Sequence, residues 1–446
     1  MKRIIVFMIA VLLVFSSFGQ KEAASIDTLL NTYYRLGKFN GTALIAKDGE
    51  VLLNKGYGYR DAEKKLPNDS HSIYQLGSVT KQFTSAVILK LQSENKLSVN
   101  DKLSKFFPNY PKGDSITIKQ LLSHISGIYN YTEDENFMRN EITKSKTREQ
   151  MMALFENKPL NFSPGTTWSY SNSNYSLLGY IIEKVTKKSY EENVRDYIFT
   201  PLKMNHSGFD FTHLKSSDKT VGYFVLNQAD TVRSPIVDST ISFAAGAIYS
   251  TTADLYRWTH ALEDNTILTA DEQNEAYTPV KNNYGYGWQI DSISGKRRLS
   301  HGGGIPGYIT MVSRVPEDKV SVILLSNASN QSIREITKSI YAILYHQPYK
   351  LPESKKAITL DENLMKQYEG EYEVQPGLTV RITVNGNTLT AVPAGQTPKT
   401  LFAEKKDCFF EKEEDVQLEF TRNESGTIDG FVLHQGEHLM KFKKSK

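Results

Sequence analysis

The sequence is short of cysteine, of unbalanced charge and of long apolar runs, and each shortage closes off a class of protein. Cys408 is the single cysteine in 446 residues, so no internal disulfide can form. It lies far from the residues that carry chemistry below and reads as a buried apolar filler. Lysine and arginine number 53 against 50 acidic residues, a net charge of +3. That balance leaves no electrostatic footprint for nucleic acid, and no basic stripe is interleaved with aromatics. The nine histidines show no His-Glu-x-x-His or other ligand spacing, so neither a metal nor a cofactor is expected. No Gly-x-Ser-x-Gly elbow, internal repeat or low-complexity tract occurs.

The longest apolar run, residues 4–15, is too short to span a bilayer, which takes about 20 residues. Lys2-Arg3 precede it and Ser17-Phe18-Gly19 follow it. This is the pattern of a secretory leader over residues 1–19, cleaved before Gln20, with an uncleaved anchor as the alternative. No cysteine at the junction permits lipid attachment. Cleavage lowers the net charge to +1, and the mature chain is expected to be secreted or periplasmic without stable membrane insertion. Hydrophobic residues at 39% and aromatics at 11% are enough for a substantial core. The length suits roughly two or three domains of about 100–200 residues.

Residues 41–46 and 51–57 flank Asp48-Gly49 as a strand–turn–strand. A helix is expected from about 78 to 93, then a helix- and loop-rich stretch to about 240. Strands return at 298–301, 308–315 and 320–326, and a closing helix at 334–345. The first and last parts therefore form one sheet with a helical subdomain inserted, over residues 25–345. Residues 346–362 read as a linker. Beyond them come short alternating runs at 378–384, 388–392, 408–410, 416–420, 430–434 and 439–442. Asn385-Gly386 and Ser425-Gly426 supply hairpin turns, which gives a C-terminal antiparallel domain over 363–446, a small β-barrel.

Ser78-Val79-Thr80-Lys81 places a hydroxyl and an amine three residues apart on one helix face, about 5–6 Å apart at Cβ. A serine hydroxyl becomes a nucleophile when a neighbour takes its proton, and an uncharged lysine can do so. Ser-x-x-Lys also occurs at Ser93/Lys96 and Ser216/Lys219, both in polar, turn-like surroundings. Only Ser78 follows a glycine and opens an apolar run, Phe83, Ala86, Val87 and Leu91. The competing reading is an N-capping serine beside a surface lysine.

Lys81 needs its pKa lowered from about 10.4 to act as a base, and the leaving group needs a proton back. Tyr170 is the one tyrosine with asparagine two places on, in Tyr170-Ser171-Asn172. Beside a lysine its phenolate would share the base role, and Asn172 would orient Lys81 and donate to a substrate carbonyl. The alternative is a packed aromatic next to a helix-capping asparagine. His301-Gly302-Gly303-Gly304 closes a strand, where glycines allow a substrate close to the edge. The amides of Ser78 and Gly304 form the candidate oxyanion pair. His301 either lines the cleft and meets the leaving group or fixes the strand. Gly302-x-Gly304-x-x-Gly307 matches a dinucleotide fingerprint, but a strand follows it rather than a helix.

The order Ser-x-x-Lys, Tyr-x-Asn, His-Gly-Gly resembles the serine β-lactamase and penicillin-binding protein superfamily, in its class C-like branch. Leu121-Leu122-Ser123-His124-Ile125-Ser126-Gly127, Phe162-Ser163-Pro164-Gly165-Thr166, Gly246-Ala247-Ile248-Tyr249-Ser250 and Tyr284-Gly285-Tyr286-Gly287-Trp288 carry the resemblance further, over about residues 25–345. It implies an α+β fold: a five-stranded antiparallel sheet flanked by helices, with a helical subdomain. It also implies Ser78 as acyl-forming nucleophile, Lys81 as base partner, Tyr170 as second base, Asn172 as a binding residue and His124 as structural. β-Lactamases and transpeptidases usually carry Lys-Thr-Gly or Lys-Ser-Gly where His301 stands here. That departure points to a small ester, amide or D-amino-acid peptide as substrate ahead of β-lactam hydrolysis or D-alanyl-D-alanine carboxypeptidase action. A non-catalytic cell-wall-binding module is the third alternative. Arg297 or Arg298 is a candidate source of positive charge from the same strand. The C-terminal domain resembles the lipocalin-like or unassigned modules appended to such hydrolases.

Overall fold

A computed structural model describes residues 2–227, 230–329, 331–375, 377–394, 398–411, 416–435 and 438–445, with residues 2–18 described by backbone alone. The side chains of the expected leader therefore lie outside the described residues, apart from Gly19. Among the described residues, no helix is long and apolar enough to cross a membrane. The chain divides into two compact units, Met1–Leu351 and Pro352–Lys446.

The first unit is built on one antiparallel sheet. Its strands are β1 (Gly41–Lys47), β2 (Glu50–Tyr57), β3 (Gln289–Ile293), β4 (Lys296–Ile305), β5 (Tyr308–Val315) and β6 (Val320–Ser326), in the order β2-β1-β6-β5-β4-β3. This is one strand more than the resemblance implies. The extra strand, β3, pairs only with Lys296–Ser300 of β4, so the glycine-rich end of β4 runs on past it. β4 also continues through the glycines to Ile305, where the sequence suggested an end at His301.

Side chains of β1 and β6 are almost all buried, because both faces of the sheet are covered. Ala43, Ile45, Val322 and Leu324 face the long N-terminal helix α1 (Lys2–Arg35, through Ile26, Leu29 and Leu30) and the closing helix (Ile333–Leu344, through Ile336 and Ile340). Leu44, Ala46, Ile323 and Leu325 face the helical subdomain. Residues one apart on a strand point to opposite faces, which accounts for this division. Within that second layer lies α2 (Thr80–Ser93), buried around nearly its whole circumference. Two of its buried polar side chains bond across to neighbouring segments: Trp258 Nε1 donates to Gln82 Oε1 at 3.1 Å, and Thr84 Oγ1 donates to Ala244 O at 2.7 Å.

The second unit is a closed barrel of eight antiparallel strands: β7 (Gly370–Gln375), β8 (Leu378–Asn385), β9 (Thr388–Pro393), β10 (Lys399–Lys405), β11 (Cys408–Phe410), β12 (Val416–Arg422), β13 (Ile428–Gln435) and β14 (His438–Lys444). Sequence alternation located six of these. β7 and β10 complete the closure that removes free edges. Tyr368, Tyr372, Leu389, Leu401, Phe409, Phe420, Phe431 and Phe442 form its buried core. An eight-stranded barrel is just wide enough for its side chains to fill it.

Candidate active site

A single 3-10 turn, Gly77–Val79, leads into α2 and carries Ser78. Gly77 adopts φ +56, and a Cβ there would lie 2.9 Å from Gly304 N. Glycine thus lets the turn close against the end of β4. A Cβ at Gly303 would lie 1.9 Å from Leu76 O, so that position admits glycine alone. Thr310 Oγ1 adds a 2.7 Å hydrogen bond to the same carbonyl. At Gly304 a Cβ would meet nothing. Its bareness leaves room beside Ser78.

One turn on, Lys81 is fully buried, with Nζ 3.0 Å from Ser78 Oγ. Nζ also donates to Asn172 Oδ1 and to Ala245 O, both at 2.8 Å. Burial drives its pKa well below the usual lysine value, and among the described residues no carboxylate lies within ion-pair distance to oppose the shift. An uncharged amine has two N–H donors and one lone pair. With the donors spent on Asn172 and Ala245, the lone pair faces Ser78. Ala245 O is aimed by a break in the short helix Ser239–Gly246, where Phe243 takes φ 35, ψ −134. Such a conformation is costly for an aromatic residue.

Tyr170 approaches the same oxygen, its hydroxyl donating to Ser78 Oγ at 2.7 Å. Burial pushes its phenol up, so a neutral phenol stands where a phenolate was expected from the sequence. Asn172, at the start of the helix Asn172–Thr186, holds Lys81 as anticipated. Its Nδ2 is already committed to Thr132 Oγ1 at 3.1 Å, and its backbone N donates to Asn130 Oδ1 at 3.0 Å. The bond to Thr132 uses one of the two Nδ2 hydrogens, which leaves the other for the substrate carbonyl assigned to it above.

His301 is buried and neutral, its pKa held down at about 3 by burial and then by Lys81. Its Nδ1 lies 2.6 Å from Gly302 O, and a carbonyl can only accept, so Nδ1 carries the proton. Nε2 then accepts from Tyr284 OH at 2.7 Å. Both ring nitrogens are engaged, and His301 offers the cleft a ring edge. Arg297 turns to Tyr277 O and Arg298 pairs with Asp291 at 2.5 Å, so neither supplies charge to Ser78.

Two cavities meet at Ser78 and Gly304. A cleft of about 680 Å³ is lined by Tyr170, Trp168, Tyr284, His301, Gly302, Gly303 and Arg334. A recess of about 90 Å³ on the other side is lined by Tyr131, Met138, Asn172, Val237, Ile241 and Pro306. The sequence reading missed Trp168, Tyr284 and Arg334. Trp168 was findable, two residues before Tyr170 in an extended segment, where alternate side chains share a face. Arg334 depends on where the closing helix starts relative to β4, which no local pattern encodes.

Comparison with known proteins agrees with this arrangement of elements. The Beta-lactamase family matches residues 29–344, and a domain of unknown function (DUF3471) matches residues 354–444. Penicillin-binding protein 4* of Bacillus subtilis (strain 168) is 30% identical over 441 residues, covering 93% of this chain and 97% of that protein. Among solved structures, the octameric penicillin-binding protein homologue from Pyrococcus abyssi superposes with a TM-score of 0.67 at 26% identity, over 94% of this chain and 99% of its own. A D-stereospecific amidohydrolase from Streptomyces sp. gives 0.62 at 26% identity, over 71% of this chain and 98% of its own. With the family match spanning most of the first unit and the fold and motif order in agreement, the chain belongs to the beta-lactamase family.

Proposed function

We propose that this protein is a secreted serine hydrolase that forms an acyl-enzyme on Ser78 and passes the acyl group to water. The observation that carries the proposal is the buried Lys81 amine, 3.0 Å from Ser78 Oγ with both of its N–H donors occupied by Asn172 and Ala245. Lys81 takes the Ser78 proton as Oγ bonds to the substrate carbonyl carbon. The resulting ammonium is met by Asn172 Oδ1 and Ala245 O, and by the faces of Tyr170 and Tyr175 at 4.8 and 5.3 Å. The oxyanion faces the amides of Ser78 and Gly304. Collapse breaks the bond to the leaving group, Tyr170 gives that group its proton, and Lys81 restores the proton to Tyr170. Water then follows the same steps in reverse.

Tyr170 lines the large cleft and is absent from the walls of the recess, which supports one direction of binding. The leaving group occupies the cleft, and the acyl group enters the small apolar recess. Arg334 is a cation on the cleft wall, suited to a leaving group that carries a carboxylate. An amide or ester of a small apolar D-amino acid, with a free carboxylate on the leaving side, fits both. The likeness to a D-stereospecific amidohydrolase supports the same substrate class. Purified protein is expected to hydrolyse D-alanyl peptides and activated esters faster than a chromogenic cephalosporin. Folded protein that turns over none of the peptides or esters contradicts the proposal. N-terminal sequencing of the secreted form is expected to begin at Gln20.

A further inference from the structure

His124 was read from the sequence as structural. In the fold it holds the segment that carries Tyr170 from both sides. Ser169 N donates to His124 O at 3.0 Å, and Ser171 N donates to His124 Nδ1 at 3.2 Å. The residues before and after Tyr170 are thus tied to one residue. The imidazole also lies against the Tyr170 ring, with centroids 4.3 Å apart and planes tilted by 37°. Tyr284 and Tyr175 back it at 4.9 and 5.2 Å.

Three features argue that the imidazole does more than fill space. It is fully buried, and its backbone sits at φ +59, uncommon outside glycine. Its Nε2 has no hydrogen-bond partner among the described residues, which is unfavourable in a buried site. A phenyl ring would pack there without that cost. What the imidazole adds is the acceptor at Nδ1. Burial keeps the ring neutral, so Nδ1 retains the lone pair that Ser171 N–H requires.

We propose that His124 is a positioning residue for leaving-group protonation, holding the Tyr170 hydroxyl on Ser78 Oγ through the flanking amides and the ring face. The proposal rests on the acyl-transfer reading above, in which Tyr170 protonates the leaving group. A displacement of about 1 Å in such a group is enough to cost about 10²-fold in rate.

The test compares two substrates with the same acyl group: a p-nitrophenyl ester, whose leaving group departs without a proton, and an alkyl amide, whose leaving group needs one. In His124→Phe, which keeps a ring and loses the acceptor, kcat on the amide is expected to fall about 10²-fold. Acylation by the ester, read as the burst of p-nitrophenolate release, is expected to stay close to wild type, because deacylation is common to both substrates. His124→Asn restores an acceptor and tolerates a positive φ. It is expected to lose less, again on the amide alone, and it carries the test should His124→Phe fail to fold. Tyr170→Phe sets the benchmark for the pattern. Equal losses on ester and amide, or no loss on either, in folded variants of an active enzyme overturn the role of His124. A wild-type protein inactive on both substrates overturns the acyl-transfer reading itself.

Discussion

Replacing Lys81 by methionine separates the chemical role of the amine from its structural cost. Methionine has a similar length, fits buried space and carries no proton. In the unfolded chain Lys81 keeps its proton up to about pH 10.4. In the folded enzyme, burial releases that proton at a much lower pH. Below the folded pKa both states are protonated and the full penalty of a buried ammonium weighs on the fold. Between the two pKa values the unfolded state binds one more proton, so wild-type stability rises with pH by about 1.4 kcal/mol per unit. Above about 10.4 the penalty is gone. Lys81→Met has no such term and is expected to be the more stable protein at neutral pH. Its advantage should shrink by about 2 kcal/mol between pH 8 and 9.5. Urea unfolding followed by tryptophan fluorescence reads this directly, because Trp168, Trp258 and Trp288 all lie in the first unit. The same variant is expected to lose about 10²–10⁴-fold in kcat/KM. The acid limb of the wild-type kcat/KM profile should fall far below the usual lysine value. A stability difference independent of pH over that range means that Lys81 stays charged in the fold, and the base role fails.

Gly77→Ala places a methyl group 2.9 Å from Gly304 N in a left-handed backbone, so kcat is expected to fall by about 10²–10³-fold in steady-state assays with KM less affected. Arg334→Gln is expected to raise KM about tenfold for substrates with a carboxylate on the leaving side. The matching uncharged amides should be unaffected. Phe420→Ala removes a ring packed on Tyr368, Phe409 and Phe431 at 4.7, 5.6 and 5.5 Å. It should destabilise the barrel by about 3–5 kcal/mol, seen as lost hydrogen-exchange protection in residues 370–444.

Much of the fold was legible because its strands carry strong local signals. β5 and β6 were bounded correctly from apolar runs between turn residues, and Asn385-Gly386 marks the β8–β9 turn. β3 escaped because Gln289–Ile293 has little apolar character and is ordered by pairing with β4. β7 and β10 are rich in charged residues on their exposed faces, and closure of the barrel decides them. At the site, spacing brought Ser78 and Lys81 together, and motif order added Tyr170 and Asn172. Spacing was silent on protonation. The phenol of Tyr170 follows from its burial in the fold, where it meets Ser78 across 92 residues of chain, and the tautomer of His301 from the way its ring turns Nδ1 to the Gly302 carbonyl and Nε2 to Tyr284 OH. The opposed cavities are equally tertiary, since Met138, Ile241 and Pro306 converge from three separate segments.

The central claim is that one serine, activated by one buried amine, takes up the acyl group. Intact-mass measurement after exposure to a fluorophosphonate tests it most directly. A single adduct that maps to Ser78, vanishes in Ser78→Ala and forms far more slowly in Lys81→Met is the predicted result. An unmodified, folded wild-type protein, or an adduct on any other residue, contradicts it.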